Sequence, residues 1–400
     1  MSNILYISMT GMTEALGETQ VIQYLLELSK SHSIHLFSFE KPTKQKKYDD
    51  VSSRLIKAGI SWSFLKYSNQ FGIISSAYQI IIAILKLKKI IKKNNIQIIH
   101  CRSLIPAFIG MFLKKISGKK LLFDIRGFAI DEKIMERRLK ENSLLTKLLK
   151  KIESYVYRKA DHVVTLTHIS KPIITEYYGV NKNHITVIPT CANADLFYPA
   201  NKINNFKQEM GYKQNEIIFL RSGSINEYYD VDAEFKLFEQ LIKIDQLVQL
   251  LILNQGQHDL IINYLSKYSI PTSKYKIFSV NIEEVGKYLN IIDACVFFIK
   301  PTFAKLATAP TKFAELVCTE VPSITNTKYG DIDYYLGRYN AGLLFDLDAV
   351  HADPKKTAGS VLNYLQQPKD KNSYHKLFSE HFSKYLAVKR YNEIYALLAS

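Results

Sequence analysis

The chain has 400 residues, is 47% hydrophobic and carries a formal net charge of +16. This length is too great for one compact core, so we expect a globular protein with two domains of comparable size. The charge is uneven, because residues 1–200 hold 30 Lys and Arg against 15 Asp and Glu, whereas residues 201–400 are nearly neutral. The first half is therefore expected to meet an acidic partner: a membrane surface, an anionic acceptor or nucleic acid.

Neither the N-terminus nor the cysteines indicate secretion or a metal site. The first residues, MSNILYISMTGM, lack the basic segment of a signal peptide and are typical of a first β-strand. The cysteines show no spacing typical of a zinc site or a disulfide framework. They are Cys101, Cys191, Cys295 and Cys318. We expect a reduced cytoplasmic protein without a metal ion or another cofactor.

Strands and helices alternate along the first half. Helical stretches, several of them basic, separate short apolar runs that are typical of buried strands. These runs are residues 3–8, 34–39, 96–99, 121–124, 162–166 and 185–188. Repeated alternation of this kind predicts a parallel sheet covered by helices on both faces.

Three segments of the first half, residues 81–95, 111–120 and 144–159, combine apolar residues with lysines. Their pattern suits helices that lie on an anionic membrane surface, although ordinary domain helices with solvated lysine faces would look the same. The uncharged stretch at 67–85 contains a glycine and several Asn, Gln and Ser residues. We interpret it as a helix within the domain or against a membrane, not as a membrane span. We expect peripheral association with the cytoplasmic face of the plasma membrane.

The second half repeats the alternation after a linker at 189–199, which has two prolines and polar turn residues. A long helix without a following strand is predicted at 378–398. Two doubly wound domains follow: residues 1–193 with the helix at 378–400, and residues 194–377. Ligands are expected in the cleft between them, at the carboxyl ends of the strands. Strands of the second half are predicted at 217–220, 248–253, 277–280, 295–299, 323–325 and 343–345.

The segment 297–326 predicts an anion site. A buried strand leads into a loop, and a helix begins at Thr311 after Pro310, which tolerates the first helical turn. Free backbone N–H groups and the positive end of the helix dipole attract phosphate at such a position.

Side chains around this helix start strengthen the predicted anion site. Three lysines are within reach of one pocket, and Glu315 lies one turn into the helix. Cations suit a diphosphate and a carboxylate suits ribose hydroxyls, so these residues indicate a nucleotide-sugar pocket. The alternative is a solvated lysine loop with an exposed Glu315. The lysines are Lys300, Lys305 and Lys312.

The order and spacing of several segments are informative together. They are HCRSLIPAFIGMFLKKISGKKLLFDIRGFAIDEK (100–133), VIPTCANADLF (187–197) and FFIKPTFAKLATAPTKFAE (297–315), followed by VPSITN and GDID. In this order they resemble glycosyltransferase family 4, in its bacterial surface-polysaccharide branch. The resemblance implies the α/β GT-B fold: two doubly wound, Rossmann-like domains face each other across a cleft, and the C-terminal helix packs back on the N-terminal domain.

The resemblance also implies a reaction. Family members transfer a sugar from a nucleotide-activated donor to an acceptor, usually with retention at the anomeric carbon and without a bound metal. The expected acceptor is a glycan or lipid-linked glycan of a capsule, O-antigen or exopolysaccharide, bound by the N-terminal domain; the C-terminal domain would bind the donor. Lys300, Lys305 and the Thr311 helix start would stabilise negative charge that develops on the leaving diphosphate.

Residue roles in the second domain follow from the same resemblance. Glu315 matches the second glutamate of a Glu, seven residues, Glu pattern, and would contact the donor ribose. The first glutamate would fall at Ala307, which is a departure that affects contacts to the donor sugar. Glu320 is a second departure, since relatives commonly have glycine there; a turn with positive φ would strain a glutamate.

The turn RSGSINEYYD (221–230) is a third departure, because it lacks the usual arginine and lysine pair. We interpret Arg221 as a strand-end residue, and Gly223 with Ser224 as a tight turn near the phosphates. In the first domain, Gly17 is expected in the loop after the first strand, where backbone would approach the diphosphate or acceptor. A plain turn glycine is the alternative.

Asp124 and Arg126 end a strand of the first domain and are expected to point at the cleft. Asp124 is the candidate that activates or orients the acceptor hydroxyl, and Arg126 is its ion partner or a phosphate contact. A buried structural ion pair is the equal alternative. His100 and Arg102 also end a strand and are acceptor-binding candidates.

Three classes of function were weighed. A glycosyltransferase with a nucleoside diphosphate sugar as donor fits best. A nucleotide-sugar epimerase on the same fold would show clustered acid and base residues, which the sequence does not display. A basic membrane- or nucleic-acid-binding protein is the third class, but the aromatic residues lie in apolar strands and form no stacking platform, so no nucleic-acid partner is expected.

Overall fold

The computed structural model describes residues 1–67, 73–199 and 204–400. The described chain divides into two compact units. Unit 1 comprises Met1–Cys191 together with Lys384–Ser400, and unit 2 comprises Ala192–Ser383.

Unit 1 is built on a parallel sheet of seven strands. Their order is β3-β2-β1-β4-β5-β6-β7, so the winding reverses between β1 and β4. Ligand sites of doubly wound folds lie at such a switch point, at the carboxyl ends of the strands. The strands are β1 (Asn3–Ser8), β2 (Ser33–Glu40), β3 (Ser61–Lys66), β4 (Ile98–Arg102), β5 (Lys120–Asp124), β6 (His162–Thr165) and β7 (Ile185–Val187).

Helices cover both faces of this sheet, which is why β1 and β4 are buried along almost their whole length. The uncharged stretch at 67–85 falls partly on residues 68–72, which lie outside the described residues; residues 73–85 are helical. A π-helical turn, Glu18–Ile22, joins the first two helices. The helices are α1 (Ala15–Gly17), α2 (Gln23–Leu28), α3 (Gln45–Lys57), α4 (Ile73–Lys93), α5 (Leu104–Ser117), α6 (Ala129–Met135), α7 (Leu144–Lys159), α8 (Ser170–Tyr178) and the C-terminal α18 (Lys384–Ala399).

The C-terminal helix α18 packs within unit 1, as the resemblance predicted. Ile394 and Tyr395 are buried in the same core cluster as Ile4 of β1. The predicted start of this helix is wrong, because Phe378–Phe382 forms a separate π-helical turn in unit 2. Its Phe382 ring lies 5.4 Å from the ring of Phe313, so the apolar residues that suggested one long helix are divided between the two cores.

Unit 2 is built on a second parallel sheet, of six strands in the order β10-β9-β8-β11-β12-β13. The strands are β8 (Ile217–Ser222), β9 (Val248–Leu253), β10 (Tyr275–Phe278), β11 (Ala294–Val296), β12 (Ser323–Asn326) and β13 (Gly342–Phe345). The helices are α9 (Asn204–Glu209), α10 (Val231–Ile244), α11 (His258–Lys267), α12 (Ile282–Leu289), α13 (Thr311–Cys318), α14 (Ile332–Arg338), α15 (Leu347–Ala352), α16 (Pro354–Leu365) and α17 (Lys371–Leu377).

Strand β11 is shorter than the run predicted at 295–299. Phe297 N still donates to the carbonyl oxygen of Ile324, but the next two N–H groups have side-chain partners: Phe298 N donates to the carboxylate of Glu234, 3.2 Å away, and Ile299 N donates to Oδ1 of Asn326 at 2.7 Å. The chain thus leaves the ladder while it stays buried, and it delivers Lys300 to the carboxyl edge of the sheet.

All four cysteines are buried thiols that form no disulfide bond. Within the described part of the chain, no helix has the length and apolar character needed to cross a bilayer.

Candidate active site

A tight turn after β8 forms one side of the predicted donor site. Gly223 has φ +98°, in the region that favours glycine. Arg221 donates to the carbonyl oxygens of Gly223 and Ser224, at 2.9 and 3.3 Å, and pairs with buried Glu234 at 2.9 Å. Its donors therefore hold the turn, which confirms the interpretation of Arg221 as a structural strand-end residue. Gly223 and Ser224 remain exposed at the tip.

Lys312, in the first turn of α13, reaches this turn. Its Nζ donates to the carbonyl oxygen of Ser222 at 2.7 Å and lies 4.4 Å from the ring centroid of Tyr229. A Cβ placed on Gly223 would lie 3.5 Å from the same Nζ. The structure thus brings Lys312 and Gly223 together, although 89 positions separate them in the sequence.

Lys305 and Lys300 occupy different environments beside the same turn. Lys305 is only 3% exposed, and its Nζ lies 3.5 Å from the ring centroid of Tyr228. Lys300 is about half-exposed, with Nζ 3.8 Å from a carboxylate oxygen of Glu227. A cation over an aromatic face is stabilised by the ring quadrupole. Tyr228 and Tyr229, whose rings contact Lys305 and Lys312, were not predicted as site residues from the sequence. The signal that could have indicated them is the pair of adjacent tyrosines.

Helix α13 begins as predicted, and no side chain caps its first turn. Thr311 is its first residue, so its N-terminal N–H groups lie beside Lys312. Glu315, one turn later, is only 8% exposed. Burial raises the pKa of Glu315 to about 7, and the charge of Lys312 opposes this rise. Glu315 therefore changes ionisation near neutral pH, and its ionised form accepts hydrogen bonds only.

The other two departures in this unit, Ala307 and Glu320, have clear structural settings. Ala307 is fully buried in the short 3₁₀ turn Phe303–Ala307. Its methyl side chain offers no carboxylate to the donor sugar. Glu320 has φ +58°, so the turn has the left-handed conformation that a glycine would adopt without strain. Its carboxylate is paired with Lys371 at 3.2 Å and with His375 at 2.8 Å.

Gly17 does not lie in a loop, and that prediction of its position is wrong. It is the last residue of α1 and is buried. A Cβ there would lie 2.0 Å from the carbonyl oxygen of Gly11 and 2.8 Å from Cα of Met12. The missing side chain therefore lets the helix pack directly on the loop after β1. The carboxylate of Glu40 also holds that loop, accepting from Met12 N at 2.7 Å.

Asp124 forms the centre of a buried polar cluster in unit 1. The sheet register pairs Ser8 of β1 with Arg102 of β4, and Arg102 with Asp124 of β5. Asp124 accepts from the Tyr391 hydroxyl of α18 at 3.1 Å and from Arg126 at 3.4 Å. Burial would raise its pKa, but the charges of Arg126 and the other neighbours lower the pKa of Asp124 to about 2. So acidic a carboxyl is a weak base at neutral pH, and it serves better to orient its neighbours.

His100 and Arg102 belong to this cluster too, since β4 extends to Arg102 and not to residue 99 as predicted. His100 Nδ1 lies 2.6 Å from the Tyr395 hydroxyl, and its Nε2 lies 3.6 Å from Asp124. Burial lowers the pKa of His100, so the imidazole is neutral. The structure therefore brings together the four strand-end candidates of unit 1 and adds two tyrosines of α18, for which the sequence gave no signal.

Comparisons with known proteins relate the chain to glycosyltransferases. Residues 17–196 match the family model described as Glycosyltransferase Family 4. A curated relative is the UDP-Gal:alpha-D-GlcNAc-diphosphoundecaprenol alpha-1,3-galactosyltransferase of Escherichia coli, 22% identical over 294 residues, which are 71% of this chain and 72% of the relative.

Solved structures match over nearly the whole chain. A glycosyltransferase from Rickettsia africae has a TM-score of 0.71 at 18% identity, with 99% of this chain and 98% of the other covered. Anabaena HepE in complex with UDP-glucose has a TM-score of 0.68 at 12% identity, with 99% and 100% covered. These matches show that the chain has the GT-B fold.

The N-terminal part of the chain thus resembles Glycosyltransferase Family 4. The chain is also similar to a galactosyltransferase that acts on a diphosphoundecaprenol-linked sugar. The comparisons give no support to the epimerase or to the nucleic-acid-binding alternative.

Proposed function

We propose that unit 2 binds a nucleoside diphosphate sugar and that unit 1 binds the glycan or lipid-linked acceptor that receives the sugar. The product belongs to a bacterial surface polysaccharide. The observation that carries this proposal is the meeting of the Gly223 turn, Lys312 and Glu315 at the carboxyl edge of one sheet. Cations suit the diphosphate, and the carboxylate suits the ribose hydroxyls.

The reaction needs a group that stabilises the leaving diphosphate. Negative charge grows on this diphosphate as the sugar departs, and fixed cations lower the energy of that transition state more than that of the bound donor. Lys300, Lys305 and the N–H groups at Thr311 supply positive charge without a metal ion. We therefore propose a metal-independent transfer, with retention at the anomeric carbon as in the family.

Two comparisons favour uridine as the donor nucleoside. The Escherichia coli relative uses UDP-Gal, and HepE is seen with UDP-glucose. The same relative transfers to a diphosphoundecaprenol-linked sugar, which supports a lipid-linked acceptor here. On the acceptor side, Asp124 positions Arg126, and the guanidinium group contacts the acceptor.

Calorimetric titration of the full-length protein with UDP, GDP, dTDP, ADP and CMP, with and without EDTA, tests the donor site. We expect UDP to bind best, unaffected by EDTA, and to bind at least about tenfold more weakly to the Glu315→Ala variant, because a hydrogen bond to a charged group contributes about 1.5–3 kcal/mol. Glu239→Ala, which removes a carboxylate paired with Lys243 on α10, is the matched control. Equal binding of UDP by all three proteins would contradict the proposal.

A membrane face on unit 1 extends this proposal. Exposed apolar side chains and lysines lie on α4, α5 and α7, and α5 contacts both other helices. Leu85, Lys88, Lys89, Lys92 and Lys93 line one surface groove of α4. Anionic headgroups would neutralise the lysines while the apolar side chains enter the interface. The exposed apolar residues are Tyr78, Ile81 and Leu85 of α4, Phe112 and Ile116 of α5, and Leu144, Leu145, Leu148 and Tyr155 of α7.

Sedimentation with vesicles that contain phosphatidylglycerol tests this face. We expect binding that weakens with salt, absence of binding to phosphatidylcholine vesicles, and loss of binding in Lys88→Glu/Lys92→Glu. The control Lys355→Glu/Lys356→Glu makes the same charge change on exposed lysines of α16 in unit 2. Equal binding by the two double variants would exclude α4 from the membrane contact.

A further inference from the structure

The buried cluster around Asp124 holds more positive charge than this one carboxylate balances. Arg102 is 5% exposed and Asp124 is 0% exposed. The Arg126 side chain, on the other side of Asp124, is 16% exposed. Because burial lowers the pKa of His100, that side chain is neutral and does not change the balance. Two guanidinium groups therefore share one buried carboxylate.

The two guanidinium groups of this cluster are poorly satisfied within the described residues. Arg102 Nε has no hydrogen-bond partner, and its NH1 lies 4.0 Å from the nearest Asp124 oxygen. Arg126 makes only long contacts, 3.4 Å to Asp124 and 3.4 Å to Thr190. Burial of a guanidinium group without close partners is costly, and a bound anion removes that cost.

The start of α5 adds backbone donors directly after Arg102. This helix has 14 residues, Leu104–Ser117, and no side chain caps its N-terminus. Its N-cap residue, Ser103, has φ +80°, a strained conformation for a residue with a side chain. Free N–H groups at a helix start attract phosphate, and the planar guanidinium fork matches phosphate oxygens.

We propose that Arg102, Arg126 and the start of α5 bind a phosphate group of the lipid-linked acceptor, with Asp124 as the residue that positions both arginines. This inference rests on the proposed function, since it assigns the diphosphate of that acceptor to unit 1. A sugar attached to this diphosphate would then be held beside the strand ends.

A small cavity next to the cluster limits what enters. Its volume is about 80 Å³, and its lining includes Ser103, Leu104, Arg126 and Gly127. This is room for about two or three water molecules, so it admits one phosphate group or a hydroxyl of the sugar but not a whole sugar ring. Glu132 and Glu153 also line this cavity. Their carboxyl groups suit sugar hydroxyls, whereas the Arg126 guanidinium group suits the phosphate.

The test measures binding of farnesyl diphosphate to the full-length protein saturated with UDP, so that the donor site is occupied. Farnesol and inorganic pyrophosphate are the comparison ligands. The variants are Arg102→Gln, Arg126→Gln and Arg126→Lys; the last keeps the charge but removes the fork. Circular dichroism and UDP affinity confirm that each variant is folded, and the more exposed Arg126 variants serve if Arg102→Gln is unstable.

We expect the unaltered protein to bind farnesyl diphosphate at least about tenfold more tightly than farnesol or pyrophosphate, and each Arg→Gln variant to lose about tenfold while UDP affinity stays unchanged. Unchanged farnesyl diphosphate affinity in both Arg126 variants would overturn the site. Equal affinity for pyrophosphate would overturn its assignment to the acceptor. Failure of the unaltered protein to bind UDP would instead overturn the proposed function, and this inference with it.

Discussion

The ionisation of single residues should make nucleotide binding at the proposed donor site depend on pH, and Glu315 is the clearest case. Burial raises its pKa to about 7, whereas two ribose hydroxyls would favour the ionised form. Binding of UDP should therefore lower this pKa and release a proton. We expect UDP affinity to rise by about tenfold between about pH 5.5 and 7.5, since a tenfold change corresponds to about one pKa unit.

Calorimetry in two buffers of different ionisation enthalpy measures the released proton. The Glu315→Gln variant is the control, because it cannot ionise and leaves only the titration of UDP itself. An identical pH dependence in the two proteins would show that Glu315 does not meet the nucleotide.

Glu153 should affect the pH dependence of folding stability, not that of binding. It is 1% exposed, and its carboxylate accepts from the Tyr178 hydroxyl at 3.2 Å. Burial and the charge of Asp131 raise the pKa of Glu153 from 4.5 to about 7, against the charge of Lys150, which corresponds to about 3 kcal/mol. A pKa above its unfolded value stabilises the folded state at low pH, and this contribution is lost as pH rises through about 7.

We therefore expect Glu153→Gln to gain about 2–3 kcal/mol relative to the unaltered protein between about pH 5 and pH 8. Urea unfolding followed by tryptophan fluorescence measures this difference, because the single tryptophan, Trp62, lies in β3 of unit 1. Glu141→Gln, at an exposed position in the same unit, should show no such change with pH. A constant difference for Glu153→Gln would mean that this carboxyl titrates normally.

At the scale of elements, the turn between α13 and β12 contains a local conflict that can be measured. Glu320 adopts the left-handed conformation, with φ +58°, and two exposed partners hold its carboxylate. Glu320→Gly and Glu320→Ala both remove those ion pairs, but only alanine keeps the backbone strain. We expect the glycine variant to be about 1 kcal/mol more stable than the alanine variant.

Scanning calorimetry in the presence of UDP, which marks the transition of unit 2, measures the two variants. A difference of this size would shift the melting temperature by about 2–4 °C for a unit of this length. If alanine were equally stable, the turn would have relaxed to another conformation, and the compensation by Lys371 and His375 would not be needed.

Sequence reasoning placed most of the elements because buried parallel strands are continuous apolar runs. It missed β3, SWSFLK, because this edge strand alternates polar and aromatic residues and none of its six residues is fully buried. It ended β4 too early, since His100 and Arg102 do not read as strand residues although both are buried. Polar groups inside a strand depend on partners from elsewhere, and those partners cannot be seen locally.

The candidate site shows the same limit. The lysines and Glu315 stand out within one short segment, so their residue types and spacing alone indicate an anion and ribose site. Tyr228 and Tyr391 do not, because each acts through a distant partner: Lys305 for the first and Asp124 for the second. Gly17 was singled out because a loop glycine would let the backbone approach a ligand. In the structure its missing side chain instead allows close packing on Gly11.

At the scale of the whole molecule, the change in charge along the sequence falls close to the boundary between the two units. The excess of Lys and Arg lies in the half of the sequence that forms most of unit 1, while residues 201–400 are nearly neutral. This division fits a protein in which one unit meets an anionic surface and acceptor and the other needs only local cations for its nucleotide.

The path of the chain between the units leads to the last prediction. Unit 2 is one continuous segment, Ala192–Ser383, closed where Ala192 N donates to the carbonyl oxygen of Phe382 at 2.9 Å. Unit 1 is discontinuous, because its core includes Tyr391 and Tyr395 of α18. We expect the fragment 192–383 to fold alone and to bind UDP, and the fragment 1–191 to fold only when residues 384–400 are added or fused, since its core otherwise exposes a large apolar face. Circular dichroism and amide NMR spectra of the fragments measure this; a folded fragment 1–191 would show that α18 covers unit 1 without being part of its folding unit.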